Sequence, residues 1–181
     1  MTVRALPSGN LTLQNVTIPA CLLEQEGDLI RTDISIADGL IAEPQALAGD
    51  MAGAMVMPTF VDMHTHLDKG HIWGRAPNPD GTFMGALTTV AADRSANWST
   101  DDVRTRIEFS LRCAFAYGTG AIRTHLDSMN GQYARSWPLF AEMRAEWAGR
   151  IDLQAACLVS CEGVDADGEF VQIADTVAEH E

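Results

Sequence analysis

Basic residues are scarce in this sequence. Twelve Lys and Arg stand against 25 Asp and Glu, for a formal net charge of −13. Phosphate backbones are repelled by such a surface, so no nucleic-acid partner is expected. The acidic residues are spread along the chain and not gathered in a tail, which is the pattern of a solvated surface. Long apolar runs are also missing: no stretch approaches the roughly 18 consecutive apolar residues of a membrane span. The opening segment, MTVRALPSGNLTLQ, has no apolar core leading to a small-residue cleavage site. These absences read as a cytoplasmic protein with no membrane partner. Cysteine is limited to Cys21, Cys113, Cys157 and Cys161. Cys157 and Cys161 are too widely spaced for a zinc knuckle and no second pair follows, so reduced, buried, structural cysteines are expected.

What is present suits a globular domain. The 181 residues are 46% apolar and 20% charged, ordinary values for a packed core with a wet surface. Residues 10–57 read as short strands. LTLQNVTI alternates apolar and polar residues, and IRTDISIADGLIAEP does the same around a turn signal at Asp38-Gly39, so the two suggest a hairpin.

From Pro58 the pattern changes to strand, helix, strand, helix. VMPTFVDMH is an apolar run suited to a buried strand. Residues 82–95 can form a helix. A second helix starts at Ser99 or Thr100, with Asp101 and Asp102 in its first turn where the helix dipole favours acids, and stops at Gly118. GAIRTHLD then reads as a strand over 120–127. A helix capped by Ser136, with Pro138 in its first turn, runs to Gly149; IDLQAACLVS is a third strand and a further helix begins near Gly168. Strands alternating with helices imply parallel β/α units. Three units cannot close an eight-stranded barrel, which takes about 250 residues.

His64 and His66 are the sharpest chemical feature. They lie at the C-terminal end of the strand after Pro58, and a spacing of two puts both imidazoles on one face. Imidazole nitrogen is a preferred ligand of Zn and Fe(II), and β/α barrels place their active sites at the C-terminal ends of strands. Asp62 and Asp68 flank the pair and a glycine-bearing loop follows. The expectation is metal ligation by His64 and His66. The loop 67–81 carries Lys69, His71, Trp73 and Arg75, which either overhang the site or are solvated surface. His125 and Asp127, ending the next strand, either face the pocket rim or fix a loop.

The segment MPTFVDMHTHLDKG resembles the first-strand signature of the amidohydrolase superfamily, usually Pro-Gly-Phe-(Val/Ile)-Asp-x-His-x-His, with Thr59 in the glycine position. Further segments are similar to the cytosine deaminase branch: HLD at 66–68, GTFMGAL at 81–87, TDDVRTR at 100–106, RTHLD at 123–127 and IDLQ at 151–154. The match runs from about residue 56 to residue 163. The resemblance implies an α/β chain: the first three units of a (β/α)8 barrel over 58–181, preceded over 1–57 by strands of a small composite β-sandwich. It implies one divalent metal, Zn or Fe(II), with His64 and His66 as the paired first-strand ligands. The remaining ligands and the proton shuttle belong to positions past Glu181, so the chain alone is expected to be inactive. A metal of this kind makes water a nucleophile near pH 7, and a carboxylate passes the proton to the leaving amine. The implied activity is hydrolysis of a non-peptide C–N bond in a cytosine-like or related nitrogen heterocycle, in an enzyme that could be a homo-oligomer.

One departure bears on the substrate. Where cytosine deaminases read the pyrimidine edge with a glutamine before Glu-Gly, this sequence has Ser160-Cys161-Glu162-Gly163. A thiol cannot make the paired donor and acceptor contacts of an amide. Lys69, Trp73 and Cys161 are the substrate-contact candidates, and cytosine itself is expected to be a poor substrate. A cyclic-amide hydrolase of the same superfamily and a non-catalytic interaction subunit are the alternatives.

Overall fold

The computed structural model describes residues 9–164 and 168–180. The chain divides into two compact units, Met1–Pro58 and Thr59–Glu181.

The first unit is a four-stranded sheet. β1 (Leu11–Pro19), β2 (Leu29–Ala37), β3 (Leu40–Ile41) and β4 (Ala48–Asp50) stand in the order β3-β2-β1-β4, with β1 antiparallel to β2 and parallel to β4. Leu11, Leu13, Val16 and Ile18 are its buried core, and Ile34, Ile36, Met51 and Val56 pack against them. The spacing of those four residues departs from strict alternation. Leu11 and Leu13 are two apart, but three separate Leu13 from Val16. The register shifts between them, and Asn15 takes a φ of 60°. This bulge turns the second half of β1 over so that Val16 and Ile18 join the same core. The turn expected at Asp38-Gly39 links β2 to β3, with φ of 52° and 79°, as a two-residue hairpin turn requires.

The second unit is α/β. β5 (Phe60–Thr65), β6 (Thr119–Asp127) and β7 (Asp152–Leu158) form a parallel sheet in chain order. Between β5 and β6 run α1 (Phe83–Asn97) and α2 (Thr100–Ala116). α3 (Tyr133–Trp147) joins β6 to β7, and α4 (Glu169–His180) follows. The hydroxyl of Ser99 caps α2 by accepting from Asp102 N, and Gly118 ends the turn after it at φ 87°. Ile122, Leu126 and Leu153 of the strands pack with Ile107 and Leu111 of α2 and Phe140 and Met143 of α3. Three tryptophans are almost wholly buried here, and each has its indole N–H satisfied: Trp98 by Asp93 (2.8 Å), Trp137 by Ser128 (3.1 Å) and Trp147 by Glu108 (2.8 Å). A buried indole keeps its apolar contribution only if that donor is partnered.

Three expectations are corrected. The strand after Pro58 is not buried: Phe60, Val61 and Met63 are 58%, 65% and 73% exposed. Among the described residues β5 is the edge of its sheet and pairs only with β6, and Val61 and Met63 lie on an open face beside Ala121 and Arg123. α3 begins at Tyr133, three residues before Ser136; that serine is buried within the helix, and its hydroxyl accepts from Gln132 Nε2 instead of capping a terminus. Pro138 therefore lies inside α3 and not in its first turn. Among the cysteines, all free, Cys157 packs against the core, but Cys21 and Cys161 are exposed, Cys161 because it belongs to the turn that leaves β7.

Candidate metal and substrate site

β5 delivers His64 at its end and His66 just beyond it, and β6 brings a third imidazole to the same place. The ring centres of His64 and His125 are 4.3 Å apart, those of His66 and His125 5.5 Å, and those of His64 and His66 5.7 Å. Burial, and after it the positive charge of Lys69, lower the pKa of His66. Both act against protonation of the ring. The Nδ1 atoms of His66 and His125 are buried and have no hydrogen-bond partner. Among the described residues, no group of three His, Cys, Asp or Glu side chains is gathered tightly enough to hold an ion as it stands.

The turn that carries His66 is pinned by backbone contacts. Leu67 N donates to Thr124 Oγ1 (3.0 Å) and Asp127 N donates to Asp68 Oδ2 (2.8 Å). Asp68 is fully buried; burial, with the charge of Asp127 beside it, pushes its carboxyl up to about 6. Asp127 in turn accepts from Lys69 Nζ (2.7 Å) and Arg94 Nη1 (2.5 Å).

A second layer of charge holds the loop that follows. Arg106 is buried, donates to the carbonyls of Asp68 and Gly70, and lies 4.9 Å from the Trp98 ring. Its Nε bonds Asp102 Oδ2 at 3.0 Å, with Nη2 at ion-pair distance but poorly aligned. Arg75 donates to Asp93 and to Asp102 through both pairs of oxygens. Asp93 is buried, and Arg75 above all holds its carboxyl down at about 2.

These contacts sort the candidates read from the sequence. His64 and His66 come together, as their spacing predicts. Asp127 fixes a loop, whereas His125 joins the imidazoles. Arg75 is committed to Asp93 and Asp102, so its role is structural. His71 Nε2 is 3.1 Å from Ser110 Oγ and its ring meets Phe109 edge-on. Lys69 is half-buried and paired with Asp127. Trp73 is 68% exposed and lines, with Lys69, Asn78 and Val90, a groove of about 320 Å³ between the loop and α1. Cys161 is exposed in its turn, and no hydrogen bond, ion pair or ring contact among the described residues ties Trp73 or Cys161 to the imidazoles. The convergence of His125 had one sequence signal: it ends its strand as His64 ends the previous one.

No family model matches the chain. It is 48% identical over 186 aligned residues to a pterin deaminase of Rhizobium rhizogenes, covering 95% of this chain and 42% of that protein. Among solved structures it is similar to N-isopropylammelide isopropylaminohydrolase of Burkholderia multivorans, with 26% identity, a TM-score of 0.70, and 95% and 43% of the two chains covered. It also shares the fold of the 5-methylcytosine deaminase of Klebsiella pneumoniae, with 23% identity and a TM-score of 0.73 over 93% and 41% of the chains. The chain thus spans less than half the length of the relatives it matches. The resemblance to amidohydrolase-superfamily deaminases read from the sequence is borne out by these likenesses.

Proposed function

We propose that this protein is a metal-dependent hydrolytic deaminase of nitrogen heterocycles, with His64 and His66 as two of its metal ligands. The observation that carries the reading is the pair of imidazoles at the C-terminal end of β5, in a chain 48% identical to a pterin deaminase. The residues fit a divalent cation. The Nδ1 of His66 is buried without a partner, and imidazole donors suit Zn or Fe(II). Such a cation, when bound, supplies the Lewis acidity that makes water a nucleophile near neutral pH. The chain's own part is positional. Thr124, Asp68 and Asp127 fix the turn bearing His66, and Arg106 with Asp102 fixes the loop behind it, which limits how far the ligand-bearing backbone can move.

In this reading residues 58–181 are the first three units of a (β/α)8 barrel, and residues 1–57 contribute strands to a composite β-sandwich. Lys69 and Trp73 are the substrate contacts offered by the loop, on the wall of the groove against α1. Cys161 stands where cytosine deaminases carry an edge-reading amide. A site built for an amide edge discriminates by roughly 10⁴-fold, so a pteridine-like amine is favoured over cytosine as substrate.

The test compares ammonia release by the full-length protein from pterin, cytosine, 5-methylcytosine and a cyclic urea. Pterin is expected to give the highest kcat/KM. A cytosine value above it would overturn the substrate assignment, and ring opening without ammonia would overturn deamination. Metal per chain is expected to fall well below one equivalent in His64→Ala/His66→Ala; full retention would remove both residues from the site.

A further inference from the structure

Lys69 borders the groove between the loop and α1, and its ammonium is held by a carboxylate from a third element. We infer that Asp127, at the end of β6, is a positioning residue for substrate binding: it fixes the Lys69 ammonium on the groove wall, where the acceptor edge of a planar amino-heterocycle meets it. The inference rests on the reading of Lys69 and Trp73 as substrate contacts.

Each oxygen of Asp127 has its own cation. Oδ1 lies 2.7 Å from Lys69 Nζ, and Oδ2 accepts from Arg94 Nη1 at 2.5 Å. The carboxylate is 7% exposed, the side chains of Lys69 and Arg94 22% and 18%. Lys69 belongs to the loop and Arg94 to α1, so one group from β6 is joined to both elements that wall the groove. Because Arg94 occupies Oδ2, the carboxylate cannot turn away from Lys69 without breaking a second ion pair.

A loop anchor is the plainer explanation of such a pair, but the backbone here is anchored by other contacts. Asp68 Oδ2 accepts from Asp127 N, Leu67 N donates to Thr124 Oγ1, and Arg106 donates to the carbonyls of Asp68 and Gly70. What the Asp127 side chain adds is the position of the far end of Lys69. A lysine side chain loses much rotamer freedom when it is ordered, and its ammonium is a compact point charge on a flexible stem. Held in place beforehand, it does not have to be ordered when a ligand binds.

The groove has the chemistry for such a ligand. An ammonium carries three N–H donors. One carboxylate oxygen takes one of them, which leaves donors for the acceptors of a nitrogen heterocycle, a ring carbonyl or an unprotonated ring nitrogen. Trp73 lines the same groove with a flat apolar ring, and Ile72 and Val90 add apolar surface, a lining suited to a planar ring system.

The experiment is a double-mutant cycle on the full-length protein, with pterin as substrate and steady-state ammonia release as the readout. Asp127→Asn keeps the volume and removes the charge. It is expected to raise KM about 10-fold with kcat little changed, and Lys69→Met to raise KM at least as much. In the Lys69→Met background Asp127→Asn should add nothing, because the same interaction is being removed twice. Arg94→Met leaves the buried carboxylate in place and should raise KM about 3-fold, again only while Lys69 is present. If Asp127→Asn does not fold, as judged by circular dichroism, the Arg94→Met cycle decides alone. An equal rise in KM with and without Lys69, or no rise in either variant, would overturn the inference and leave Lys69 as a substrate contact. No turnover of pterin, or an unchanged KM in Lys69→Met, would overturn the substrate-contact reading and the inference with it.

Discussion

Asp93 shows how much of the site depends on residues that never reach it. Its carboxylate accepts from Arg75, Asn97 and Trp98, and through Arg75 it shares Asp102 with Arg106, whose guanidinium holds the carbonyls of Asp68 and Gly70. Asp93→Asn keeps the volume but removes the charge from a buried acceptor. A loss of about 2 kcal/mol is expected, checked by urea unfolding. The pH dependence follows from the sign of its shift. Its folded value, about 2, lies below the ordinary 3.8, so its contribution is complete above roughly pH 4 and is lost as pH falls toward 2. Acid titration of wild type and Asp93→Asn should therefore converge at the acid end; parallel curves down to pH 2 would contradict the assignment. The histidine pair was legible from the sequence, and Asp102 only as an acid in the first turn of α2. The roles of Asp93 and Arg106 were not legible, because the loop residues they hold or bind, Arg75, Asp68 and Gly70, follow a path that no local pattern encodes.

At the scale of elements, the helices were legible where their ends are chemically marked. Ser99 with Asp101 and Asp102 announced α2, and Gly118 announced its end. α3 was misplaced because Gln132, its first residue's predecessor, makes no side-chain cap, while Ser136 and Pro138 imitate a start inside the helix. The exposure of β5 was illegible because an apolar run does not say what will cover it. The bulge in β1 was equally hidden, since it needs only Asn15 in a left-handed conformation, which asparagine tolerates better than most residues. Ser99→Ala should cost about 1 kcal/mol, seen as a lower urea midpoint with an unchanged slope. Gly118→Ala should also destabilise, by about 1 kcal/mol, through its positive φ and not through crowding, since the nearest atom, on the Phe60 ring, is 3.9 Å from the added methyl. D-alanine at that position, introduced by chemical ligation, should restore the loss.

For the molecule as a whole, the apolar surface of β5 has a measurable consequence. Phe60, Val61 and Met63 leave apolar side chains exposed along an edge strand, the type of surface that recruits another chain. Light scattering is expected to show concentration-dependent association, reduced in Met63→Lys with no change in circular dichroism; equal association in the variant would place the contact elsewhere. The clamp between Asp68 and the amide of Asp127 has a different consequence, in time. Its partners are 59 residues apart in the chain, and those of the Leu67–Thr124 bond are 57 apart, whereas α2 is built from neighbours. Closing so long a loop is entropically costly before its contacts form. During refolding, pulse-labelled hydrogen exchange should find the α2 amides protected first and those of Leu67 and Asp127 last. The imidazoles would then meet only near the end of folding, and a chain still able to misfold would present no assembled site to a passing metal ion.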